Sequence, residues 1–110
     1  MYQYKAKLIR VIDGDTVDLK VDLGFKVFVE IRFRLNGIDT PETRGDEKEA
    51  GLAAKKFLIE ALGDRDIKVA SEKTGKFGRW LGTLFVAGSD INELMINQGH
   101  AVPYNGGKKS

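Results

Sequence analysis

The order of elements legible in the chain (strand, strand, strand, helix, strand, strand, helix) predicts a mainly β (α+β) domain. That order suits a five-stranded Greek-key barrel of the OB-fold type, with a helix between strands 3 and 4 and a short C-terminal helix. Three observations carry the reading. Apolar and polar residues alternate over two long stretches, the period changes to a helical one after Asp46, and turn residues punctuate the chain at short intervals.

The first strand, Tyr4 to Ile12, stops at the turn cluster Asp13-Gly14-Asp15. Beyond it Val17, Leu19, Val21 and Leu23 point one way and Asp18, Lys20 and Asp22 the other. After Gly24 the alternation resumes through Phe25, Val27, Val29, Ile31, Phe33 and Leu35, giving a half-buried hairpin. Its solvated face carries Lys26, Phe28, Glu30, Arg32 and Arg34, while Phe25, Phe33 and Phe57 are expected in the core. Asn36-Gly37 ends the strand, and Asp39-Thr40-Pro41-Glu42-Thr43-Arg44-Gly45 is too polar and broken for anything but a loop.

From Asp46 onward Ala50, Ala53, Ala54, Phe57, Leu58, Ala61 and Leu62 fall at three- and four-residue intervals until Gly63 stops the helix. Ile67 to Ala70 reads as a short strand, Ser71 to Gly78 as a basic loop and Trp80 to Val86 as another strand. Asp90, with Glu93 three positions later, makes a capping box for a helix from Ile91 to Gln98 that Gly99 ends. The stretch from His100, with Pro103 in it, is expected to fray. The domain is taken as residues 1–104, with 105–110 a flexible tail in which Lys108 and Lys109 aid solubility.

A chain of 110 residues suffices for one core without staples, since it buries about 60–70% of its unfolded surface. It has no cysteine, which excludes disulfides, thiolate zinc sites and a cysteine nucleophile. No stretch resembles a membrane span, and Lys5 and Lys7 interrupt any would-be signal peptide, so a cytoplasmic setting is favoured over a mature secreted form. The net charge of +2 averages over opposed blocks: acidic turns at 13–22 and 36–50, and a basic run with Lys73, Lys76 and Arg79.

If the acidic turns meet, Asp13, Asp15, Asp39 and Glu42 crowd together, which raises carboxylate pKa values unless a cation sits among them. Carboxylates with a carbonyl such as that of Thr40 suit a hard cation. Calcium, which takes about 6–8 oxygens, is the first choice and magnesium the next. Taken alone, Asp-Gly is ordinary turn chemistry and acidic turns are commonly solvated. Arg32 or Arg34 just before Asp39, together with Arg79, supplies forks that grip phosphate, although arginines on a strand face are equally ordinary surface residues. A hard cation, two arginines and a free carboxylate are the parts that water needs to attack a phosphodiester.

Three segments in order, Val11-Ile12-Asp13-Gly14-Asp15-Thr16-Val17, Arg32-Phe33-Arg34-Leu35-Asn36-Gly37-Ile38-Asp39-Thr40-Pro41-Glu42-Thr43 and Lys76-Phe77-Gly78-Arg79, resemble the signature segments of the staphylococcal nuclease (thermonuclease) family. The resemblance runs from the first strand to about His100 and suggests a short single-domain member. It implies an OB-barrel and calcium-dependent hydrolysis of DNA or RNA phosphodiesters that leaves 3′-phosphates. It further implies that Asp15, Asp39 and the Thr40 carbonyl hold calcium while Asp13 orients a ligand or water from behind. Glu42 would be the general base, or would position the attacking water, and Arg34 and Arg79 would bind phosphate. Lys76, Phe77 and Tyr104 become possible nucleotide contacts, and Arg32 gains no role beyond solvation or phosphate steering. The chain departs from the family where Phe77 replaces a tyrosine, where it passes through Tyr104 to stop at Ser110, and in the acidic run Asp46-Glu47-Lys48-Glu49.

The alternative reading is a non-catalytic OB-fold that binds single strands on Phe28, Phe77 or Trp80. A third is a calcium-binding structural domain. The intact set of carboxylates and arginines favours the enzyme, working as a monomer without membrane or obligate protein partner. His100, after the helix stop, reads as structural or solvated.

Overall fold

The computed structural model describes residues 2–73 and 80–104, the side chain of Lys73 excepted. The elements are β1 (Gln3–Asp13), β2 (Thr16–Asp22), β3 (Phe28–Leu35), β4 (Ile38–Asp39), a 3-10 turn (Gly45–Glu47), α1 (Lys48–Leu62), β5 (Ile67–Lys73), β6 (Trp80–Val86), β7 (Ser89–Asp90), α2 (Ile91–Asn97) and β8 (Val102–Pro103). β1 pairs antiparallel with both β2 and β5, β2 with β3, and β5 with β6. A parallel pairing of β3 with β6, Phe33 opposite Trp80, then closes five strands into a barrel. This is the predicted OB-type architecture, with α1 between the third and fourth barrel strands. None of the described helices is long and apolar enough to cross a membrane.

The alternation in β2 does what its period requires: Val17, Leu19 and Val21 point inward and are almost wholly buried. Their partners Phe33, Ile31 and Val29 in β3 meet them across the strand pair. From α1, Ala54, Leu58 and Leu62, four residues apart on one face, fill the barrel end, and Met95 of α2 adds to the same core. Each of the larger ones, Leu58, Leu62 and Met95, contributes about 1.5–3 kcal/mol by leaving water. The Asp90 carboxylate caps α2 by accepting the Glu93 amide at 2.9 Å. Buried Asn92 locks that helix to the barrel: its amide donates to the Asn36 and Gly82 carbonyls at 2.9 and 3.0 Å, and its Oδ1 accepts the Leu84 amide at 3.1 Å.

Four expectations are corrected. The hairpin alternation does not run through residues 23–27. The chain leaves the sheet after Asp22 in a turn held by Leu23 N–H to Val27 O at 2.8 Å, with Phe25 and Lys26 at φ 54° and 63°. That left-handed turn carries Phe25 past the barrel end, so it is fully exposed rather than core. β5 runs on to Lys73 because Ser71, Glu72 and Lys73 find partners in β6, so these three are strand rather than loop, and the rest of the expected basic loop, 74–78, lies outside the described residues.

The segment from His100 does not fray at its start. β8 pairs with β4, Ile38 opposite Pro103, and the Tyr104 amide donates to Gly37 O at 2.8 Å. His100 packs on the Phe57 ring at 4.7 Å, the structural place expected of it. Finally, Asp18 is not on a solvated face but 3% exposed. Arg32 donates to it at 2.8 and 3.1 Å, and Arg10 pairs with the same carboxylate. The Arg32 hydrogen bond, helped by Arg10 and opposed by burial, holds this carboxyl below its ordinary range. Arg32 is thereby an ion-pair partner, a role that the sequence did not reveal.

Candidate active site

Two turns meet at one rim of the barrel. The β1–β2 turn brings Asp13 and Asp15, while the end of β3 and the short β4 bring Arg34, Asp39 and Thr40. Thr16 pairs with Arg34 across the sheet and Leu35 N–H bonds to Asp15 O at 2.8 Å, so backbone pairing alone sets these side chains side by side. Arg34 sits between two carboxylates, its Nη2 3.1 Å from Asp39 Oδ1 and 3.6 Å from Asp15 Oδ2. Its other nitrogen, Nη1, donates to the Ile38 carbonyl at 3.0 Å. The Tyr104 ring covers the guanidinium at 5.1 Å. All three charged side chains are largely buried, at 14–19% exposure.

Asp15 is held from both ends: Thr16 Oγ1 donates to Oδ1 at 3.1 Å and the Thr40 amide to Oδ2 at 3.2 Å. Asp13 does not join the pair. It accepts Thr43 Oγ1 at 2.9 Å and so ties the first turn to the loop that carries Glu42. Glu42 itself is exposed, its amide donating to Glu47 Oε1 at 3.3 Å. The expected crowd of three or four carboxylates is therefore two carboxylates converging on one guanidinium. Among the described residues no three acidic or histidine side chains gather as a metal cage. Arg79, Lys76 and Phe77 lie outside the described residues.

Two glycines shape this rim. Gly14 belongs to the expected turn cluster, yet its φ is not left-handed. A Cβ there would meet Ala54 Cβ at 2.9 Å and Thr40 Oγ1 at 3.0 Å, so space is the requirement. Gly51, inside α1, is more extreme: its Cβ would fall 1.9 Å from the Glu42 carbonyl oxygen. The helix thus rides directly on the backbone of Glu42 and Thr43. A glycine inside a helix costs about 1 kcal/mol, and that cost is the one sequence signal that could have flagged it.

The oxygen donors on this rim fit a hard divalent cation in kind. Asp15 and Asp39 face each other across Arg34, the Thr40 amide donates to Asp15, and the buried Thr40 hydroxyl beside Gly14 has no hydrogen-bond partner among the described residues. The chain has no cysteine to offer sulfur, and its single histidine, His100, lines a cavity with Asp39 and Thr40.

A small OB-type barrel with an arginine-bridged pair of aspartates at one rim defines the class. The chain belongs to the staphylococcal nuclease homologue family, whose model matches residues 32–110. It is 32% identical over 111 residues to Protein ParB of Escherichia coli, covering 93% of this chain and 58% of that protein. It is also 32% identical over 114 residues to Endonuclease YhcR of Bacillus subtilis, covering 93% of this chain and 9% of the other. With the probable staphylococcal-like nuclease CAN3 of Oryza sativa it shares 30% identity over 70 residues, 64% of this chain and 18% of the other. The chain spans less than two thirds of the length of each of these relatives.

Proposed function

We propose that this domain is a calcium-dependent nuclease that hydrolyses DNA or RNA phosphodiesters by attack of water. The observation that carries the reading is Arg34, a phosphate-gripping fork held between Asp15 and Asp39 at 3.6 and 3.1 Å, with exposed Glu42 on the adjoining loop. Family membership and the names of its relatives, a nuclease and an endonuclease among them, support it.

Asp15, Asp39 and the Thr40 carbonyl would hold calcium, and Asp13 acts through Thr43, fixing the loop from behind. Calcium, when bound, supplies Lewis acidity to a phosphoryl oxygen and positive charge beside two carboxylates. Arg34 offers its fork to the phosphate, stabilising charge that grows on the equatorial oxygens, and Tyr104 keeps the guanidinium plane in place. Glu42 accepts a proton from the attacking water, which its exposure at the rim permits. Arg79 would assist the departing 5′-oxygen, leaving the phosphate on the 3′ side. Lys76, Phe77 and Tyr104 would contact the nucleotide.

The deciding experiment pairs Glu42→Gln with the wild type on single-stranded DNA, with calcium and then with chelator. Loss of about 10²–10⁴ in rate, with oligonucleotide affinity kept, supports Glu42 as base. Full activity in the variant, or cleavage undiminished by chelator, overturns the reading.

A further inference from the structure

The barrel face that carries Arg34 continues away from the site. Because Val17, Leu19 and Val21 point inward, Thr16, Asp18, Lys20 and Asp22 of β2 point outward, beside Arg34, Arg32, Glu30 and Phe28 of β3. From the Thr16–Arg34 pair to the Asp22–Phe28 pair is six residues along the strand, about 20 Å at the usual rise. At the far end lies a groove of about 420 Å³. Lys5, Lys7, Lys20 and Lys68 line it, against two acids, Asp22 and Asp66. Register explains the gathering: Lys5 stands opposite Lys68 and Lys7 opposite Lys20.

Phe28 stands in this groove 51% exposed, with the Lys20 ammonium 4.6 Å from its ring centroid. An aromatic ring flanked by lysines is the combination that grips one nucleic-acid strand: phosphates on the ammonium groups, a base on the ring. A paired, stacked base could not offer its face to that ring, so a single strand is the occupant that fits. Between groove and site Asp18, Arg10, Arg32 and Glu30 are paired with one another, so this middle stretch carries little net charge.

Resting on the nucleic-acid reading of the site, we propose that this groove holds the substrate strand beyond the scissile bond, with Lys5, Lys20 and Lys68 on phosphates and Phe28 under a base. The domain then reads a strand of several nucleotides from one rim of the barrel to the other. Substrate length, rather than base identity, is what the groove recognises.

The test measures binding and cleavage separately. A fluorescent single-stranded DNA 12-mer is titrated with wild type, K5A/K20A/K68A and F28A in chelator over a salt series. Calcium-supported hydrolysis of a dinucleotide and of the 12-mer is measured in parallel. Expected for the triple variant are an affinity at least about tenfold weaker and a log–log salt slope shallower by about 2, since each lost phosphate contact on a single strand removes about 0.7. Expected for F28A is a loss of about fivefold or more. Both variants cleave the dinucleotide as the wild type does and show a raised KM for the 12-mer at unchanged kcat. Unchanged 12-mer affinity and slope overturn the groove, as does an equal loss on both substrates. Lysine-dependent retention on phosphatidylserine vesicles without 12-mer binding overturns it too. If the wild type binds the 12-mer through these lysines yet cleaves neither substrate, the groove stands and the nuclease reading falls.

Discussion

Two arginine–carboxylate constellations lie on one face of the same strands, and they differ in how their arginines are buried. In one, two arginines cover a single aspartate: Asp18 is buried beneath Arg10 and Arg32, whose side chains remain 52% and 60% exposed. In the other, a single buried arginine stands between two aspartates. The first, with Glu30 also paired to Arg10, is balanced in charge and acts as a staple joining β1, β2 and β3. The second buries its arginine together with both aspartates at the barrel rim. The same residue types therefore form a structural clasp in one place and the candidate site in another, and proximity of Asp to Arg in a barrel does not by itself identify a site.

Four measurements sharpen or break this contrast, from the largest effect to the smallest. Arg34→Ala should lower kcat by about 10²–10³, the usual cost of removing one donor to developing oxyanion charge. Calcium should also raise its melting temperature more than it raises that of the wild type. Retained activity would place Arg34 with the staple. The Arg10→Ala/Arg32→Ala pair should instead cost about 2–3 kcal/mol in urea unfolding and leave dinucleotide turnover intact. That is below the 3–5 kcal/mol of a fully buried pair, because loss of the two stems admits water to Asp18.

Gly51→Ala should destabilise by about 1–3 kcal/mol and depress kcat together, because the added methyl must displace the backbone of Glu42. A melt that moves without any change in kcat would show that the loop recovers its position. The smallest effect is in pH. The Asp18 carboxyl is held below its ordinary 3.8, so its contribution to stability is complete above that value and is lost as acid carries the pH down through the folded pKa. The stability gap between wild type and Asp18→Asn should therefore be flat from pH 7 to 5 and close below about pH 4. A gap that persists at pH 2 would show that shape, not charge, is what Asp18 supplies.

The parts of this fold legible in sequence are those whose signal is local. Val17, Leu19 and Val21 announce an inward strand face by alternation, Ala54, Leu58 and Leu62 a helix face by spacing, and Asp90 a cap by its position. What was not legible depends on partners distant in sequence. Phe25 continues the alternation but sits on a left-handed turn beyond the barrel end, where no partner strand waits for it. Asp18 reads as a surface residue until β1 and β3 bring arginines over it. Asp13 and Asp15 belong to one motif, yet Thr43 draws the first away and Thr40 orients the second, a separation invisible in the motif itself. Gly51 is an ordinary letter in a helix until α1 is laid against Glu42.

The clasp of Tyr104 over Arg34 makes completion of the rim a late event in the life of the chain. The barrel strands are all in hand once Val86 has been synthesised, and Ile91, Met95 and Ala101 then complete the core. Arg34, laid down in the first third of the chain, gains its aromatic cover only when β8 has paired with β4 and Tyr104 has reached Gly37. In the order of synthesis the barrel strands therefore precede the cover of Arg34. That cover arrives when the short β8 segment docks.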